Sequence, residues 1–80
     1  MRTNMMGERY YQPGEDFGLD QNFHDVLFVD IYEDDDDGPY AECKDVDGEA
    51  MFYVENYAST SALQSECNRI FGSSIDVQVI

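Results

Sequence analysis

Asp47-Gly48 sits between two alternating runs, residues 40–46 and 49–55, and nothing else in the chain restricts the fold as tightly. An Asp-Gly pair tolerates the positive φ that a two-residue hairpin turn demands, so the flanking runs are expected to fold back as antiparallel strands. Counting outward sets Val46 against Glu49, Asp45 against Ala50, Cys43 against Phe52 and Ala41 against Val54. Ala41, Cys43, Ala50, Phe52 and Val54 then share one face, and Tyr40, Glu42, Lys44, Met51, Tyr53 and Glu55 the other. A slip of one residue would exchange the two faces, so this clean sorting supports the register.

Residues 24–32 are rich in β-branched and aromatic side chains and predict a preceding strand, with Leu27, Val29 and Ile31 on one side and Phe28, Asp30 and Tyr32 on the other. Gly38-Pro39 reads as the turn after it. Beyond the hairpin, Ser61 with Gln64 matches a capping box, and Ser59 is a competing cap. Leu63, Cys67, Ile70 and Phe71 recur at helical spacing, and Gly72 suits a helix end. Ile75, Val77 and Val79 then alternate as a last strand.

The plan is α+β, in the order β-β-β-α-β. An antiparallel meander of three strands carries the helix on one sheet face, and the fourth strand returns parallel to the first, giving sheet order 4-1-2-3. The helix is expected over Leu27, Val29, Ile31, Ala41, Cys43, Phe52, Val54, Ile75, Val77 and Val79. Residues 1–22 are punctuated by Gly7, Pro13, Gly14 and Gly18 and read as a loop-rich arm, with a short strand at residues 9–12. Residues 23–80 form the single α+β domain.

Charge sets the functional expectation. Residues 15–55 hold fifteen of the eighteen carboxylates and one cation, Lys44, and the formal net charge is −14. At 42% hydrophobic and 14% aromatic the chain is too apolar for a disordered acidic tail. A folded domain of this length is roughly 30 Å across. Duplex DNA of that length carries roughly 18 phosphate charges, so the two approach each other in charge per unit length. Such a surface is repelled by DNA, RNA and anionic membranes, and its natural partners are cations or basic protein surfaces. Adaptation to high salt also enriches acids, yet residues 56–80 carry only Glu66 and Asp76, an asymmetry that favours a dedicated face.

The longest apolar run, residues 26–29, is far short of a membrane span, and residues 1–12 lack the apolar core of a signal peptide. The cytoplasm is the expected compartment. Cys43 and Cys67 match no CxxC redox or zinc pattern and read as two buried thiols, with a disulfide disfavoured in a reducing compartment.

No cofactor or metal is expected. Placing Gly38 at the sixth position of an EF-hand loop puts Lys44 where a bidentate Glu is required, so that motif fails and only weak cation association at the aspartates remains. His24, the single histidine, has no nucleophile motif, phosphate loop or HxxxH partner and reads as a strand-edge residue rather than a base. The chain is therefore expected not to be an enzyme.

With the helix on one sheet face, the other is open unless the N-terminal arm covers it, and it displays Tyr and carboxylates at strand spacing, about 6.7 Å along and 4.8 Å across. In size, charge, clustering of acids and hairpin, the chain resembles small acidic DNA-mimic inhibitors encoded by phages, most of all type I anti-CRISPR proteins. The resemblance is one of character over the whole chain, with no motif to transfer. It implies a stoichiometric inhibitor that occupies the basic DNA-binding groove of a nucleic-acid-binding protein such as a CRISPR surveillance complex. On the expected fold, the residues facing that partner are Asp30, Tyr32, Glu33, Asp34, Asp35, Asp36, Asp37, Tyr40, Glu42, Asp45, Asp47, Glu49, Tyr53 and Glu55. The alternatives are an acidic interaction or immunity-type module whose basic partner does not handle nucleic acid, or a weak divalent-cation binder.

Overall fold

The computed structural model describes residues 1–80 except Asp34, Asp35 and Asp37. Among the described residues there are six strands, β1 (Arg2–Thr3), β2 (Arg9–Tyr11), β3 (Phe28–Tyr32), β4 (Tyr40–Lys44), β5 (Ala50–Glu55) and β6 (Asp76–Val79), and one α-helix, α1 (Thr60–Phe71). They build a single mixed sheet in the order β1-β2-β5-β4-β3-β6. β3, β4 and β5 are antiparallel neighbours, while β6 lies parallel to β3 and β2 parallel to β5. Parallel neighbours cannot be joined by a tight turn. The β5-to-β6 crossover is α1, which lies against the sheet.

Along β3, β4 and β5 burial alternates residue by residue, as a half-covered sheet requires. Val29, Ile31, Ala41, Cys43, Phe52 and Val54 point to the core and meet Leu63, Cys67 and Phe71 of α1. Those helical residues are spaced four apart, one stripe on one face. Ser59, not Ser61, caps the helix, its Oγ accepting the Ala62 N–H at 3.1 Å. Gly72 ends it at φ 79°, a left-handed conformation that its missing side chain permits.

Four expectations are corrected. Residues 23–25 form a single 3-10 turn, so the strand starts at Phe28; His24 is not in it, Leu27 is 45% exposed, and Val26 fills the core instead. The hairpin closes through a three-residue loop: the Gly48 N–H reaches the Asp45 carbonyl and the Asp45 N–H reaches Glu49, each at 3.0 Å. The register Ala41↔Val54 and Cys43↔Phe52 stands, but a bulge then pairs Lys44 with Ala50, and Met51 leans on the core. Val79 is 43% exposed on the edge strand, although Ile75 and Val77 pack inward.

The fourth correction concerns residues 1–22. The short strand expected at residues 9–12 does form, as β2, but the segment also adds β1 and packs into the core. Phe17 is fully buried, with its ring 5.5 Å from Phe71 and 6.4 Å from both Tyr11 and Phe52. The sheet is mixed and six-stranded because of this segment and the parallel return of β6. Both cysteines are buried and free.

Candidate functional site

Residues that alternate away from the core build the far face of the sheet. Tyr10 of β2 stacks on Tyr53 of β5, with centroids 4.6 Å apart and planes within 12°, and Tyr32 of β3 stacks on Tyr40 of β4 at 5.4 Å. The Tyr53 hydroxyl donates to Glu8 at 2.8 Å, and Asn4 donates to the same carboxylate at 2.7 Å. These two hydrogen bonds, Asn4's first, hold the Glu8 carboxyl below its ordinary range. An open groove of about 650 Å³ runs over this face between β2 and the Gly38-Pro39 turn, with Tyr10, Tyr40 and Tyr53 among its lining residues.

Cations on this face are tied down. Lys44 donates to Asp30 at 2.6 Å and to the Tyr32 hydroxyl at 3.3 Å, and lies 3.4 Å from Glu42. The Asp30 bond, chiefly, pushes its ammonium group above the usual lysine range. Arg2 forks onto Glu55 at 3.0 and 3.1 Å while its guanidinium lies 4.0 Å from the Tyr10 ring centroid. That fork and a hydrogen bond from Gln12 keep the Glu55 carboxyl low. Arg9 pairs with Asp20 beneath the sheet edge, and Arg69 with Glu66 on α1. All four cations of the chain are thus engaged by carboxylates, and the charge of −14 is an uncompensated surplus.

The candidate residues divide into three groups. Asp30, Tyr32, Tyr40, Glu42, Tyr53 and Glu55 do gather on the far face, all of them half-buried, with Asp30, Glu42 and Glu55 in ion pairs. Glu33 and Asp36 are exposed at the end of the sheet where β3 passes to β4, and Glu33 accepts the Thr60 hydroxyl at 2.7 Å. Asp34, Asp35 and Asp37 lie outside the described residues. Asp45, Asp47 and Glu49 stand at the opposite end, on the hairpin loop. There Asp45 accepts the N–H groups of Asp47 and Glu49 at 2.9 and 3.0 Å, so its carboxylate is engaged in closing the loop.

Among the described residues the acids therefore do not form one continuous array. A tyrosine face laced with ion pairs lies between two exposed anionic banks. Six residue steps, from the level of Glu33 just past β3 to Asp45 just past β4, separate the nearest members of the two banks by about 20 Å at about 3.4 Å per residue. Acids also reach the helix side, where Glu15, Asp16 and Glu66 line a small groove with Arg69. Among the described residues no group of three or more His, Cys, Asp or Glu is arranged to hold a metal ion, and no helix is long and apolar enough to cross a membrane.

Arg2, Glu8 and Tyr10 belong to this face but escaped the sequence reading. The alternation through residues 8–11 was the signal for two of them: Tyr11 points into the core, which turns Tyr10 and Glu8 outward. No family model, curated protein or solved structure matches this chain.

Proposed function

We propose that this protein is a stoichiometric, non-enzymatic ligand of a basic protein surface, and that the surface is one built to grip nucleic acid. The observation that carries the reading is the pair of anionic banks flanking the tyrosine face. Their separation of about 20 Å is of the same order as, though wider than, the ~12 Å DNA major groove, whose edges are rows of phosphates. A protein that lays Lys and Arg along both phosphate rows would meet carboxylates in comparable places. Because the chain's own cations are already paired, none is left to repel such a partner. Tyr32, Tyr40 and Tyr53 would supply the packed centre that interfaces favour. A CRISPR surveillance complex is one partner of this kind.

The test uses the immobilised protein in a nuclease-treated lysate, with bound protein eluted along a salt gradient and then assayed for DNA binding. Charge reversal at one bank (Glu33→Lys with Asp36→Lys) and at the other (Asp47→Lys with Glu49→Lys) should each weaken capture at least tenfold, leaving the fold intact by circular dichroism. Rim charges should act mostly on association rate and salt dependence. Unchanged capture by both double variants would refute the two-bank interface.

One observation favours a second reading. Asp30, Glu42 and Glu55 are neutralised within the chain, and acids also line the helix side, as in a general acidic interaction or immunity-type module. A partner of that kind would be captured without binding DNA.

A further inference from the structure

We propose that the groove on the far face is a seat for an arginine of the partner, carried on an extended segment, and that Arg2 is the chain's own placeholder in it. This inference rests on the reading of the partner as a basic protein and names the side chain it presents. Arg2 already displays the required chemistry. Its planar guanidinium lies against the Tyr10 ring and forks onto Glu55, the two contacts that distinguish arginine from the point charge of lysine. Tyr10 is backed by Tyr53 in a parallel stack, so the aromatic wall is already in position before anything binds.

The placeholder sits at the sheet edge. β1 is two residues long, both exposed, and its ladder is Arg2↔Tyr10 and Thr3↔Arg9, flanked by the Met1 ammonium on Glu15 and by Asn4 hydrogen-bonded to Glu8. The Arg2 side chain remains 53% exposed in its ion pair. Short, exposed edge elements are the first to open in local unfolding. Once β1 lifts, two things are uncovered together. Glu8, Glu42 and Glu55 line a groove that has lost its guanidinium, and the β2 edge offers free backbone groups to an incoming strand. A segment bearing arginine at the Arg2 position would satisfy both, adding to the sheet as β1 does now.

Calorimetry on the full chain with capped tetra-arginine and tetra-lysine peptides tests this directly. The arginine peptide should bind roughly three- to tenfold more tightly, since stacking and forked bonding favour guanidinium over ammonium. NMR shifts should centre on the Tyr10 and Tyr53 rings. Arg2→Ala should tighten the arginine peptide further and widen its advantage over lysine. Equal affinities for the two peptides, with shifts confined to Glu33, Asp36 and the hairpin loop, would overturn the arginine seat while leaving the acidic interface standing. An Arg2→Ala protein that binds the arginine peptide no better than the parent would remove the placeholder role. Binding of neither peptide would sink both this inference and the basic-partner reading.

Discussion

Asp20 shows how little a carboxylate in a sequence says about its surroundings. It was one acid among many, yet its side chain is fully buried and accepts Arg9 at 2.8 and 3.0 Å, the Tyr11 hydroxyl at 2.6 Å and the Asn22 N–H at 2.9 Å. Burial alone would raise its pKa, but the Arg9 and Tyr11 hydrogen bonds outweigh that and hold it below the ordinary range. A carboxyl depressed on folding stabilises the fold above its unfolded value, about pH 4, and loses that contribution as pH falls through the folded value. Asp20→Asn should cost about 2 kcal/mol at neutral pH, because Arg9 and Tyr11 lose their charged acceptor. It should also flatten the fall in stability below about pH 4, and denaturant titrations at pH 3 and pH 7 would measure both effects. Tyr11 itself, pushed up to about 12 first by burial and then by Asp20, should stay neutral in alkaline titrations that ionise exposed tyrosines. Burial likewise pushes the Cys67 thiol up to about 12 and raises Cys43. Both thiols should resist a thiol reagent at about pH 8 in the native protein and react at once in denaturant. Rapid native labelling would contradict their place in the core.

At the scale of elements, local pattern and long-range pairing part company. The register of β4 on β5 was legible around Cys43 and Phe52, because two alternating runs around Asp47-Gly48 sort their faces without outside help. The loop itself was misread by one residue. Asp45 reaches back to two N–H groups, which favours a three-residue loop with Gly48 at φ 81°, the left-handed position. Gly48→Ala should accordingly cost about 1 kcal/mol in thermal unfolding. β2 was legible as a short strand but its pairing was not, because its partner β5 lies some forty residues away, and Gly and Pro on both sides suggest loops. Phe17 exposes the consequence. Phe17→Ala should lose about 3 to 5 kcal/mol, as for any fully buried aromatic side chain. Removing residues 1–22 should leave a chain that fails to fold cooperatively, whereas a dispensable arm would leave the unfolding transition intact.

Over the whole molecule, 31 × 29 × 23 Å in extent, the surplus of −14 charges opposes compaction. Raising sodium chloride from about 0.02 to 0.5 M should lift Tm by about 5 °C, roughly 1 kcal/mol for a domain of this size. A Tm that fell with salt would contradict that balance. The charge was plain in the sequence. Its arrangement was not, since only the folded sheet reveals which acids are cancelled by Lys44 and Arg2 on the tyrosine face. That arrangement makes the central claim testable in one step. With the captured partner held on a surface, a duplex DNA of about 20 base pairs is titrated against this protein. Mutual, complete displacement, with an affinity for the protein that falls steeply as salt rises, is the predicted result. A ternary complex in which DNA and protein bind together would contradict it.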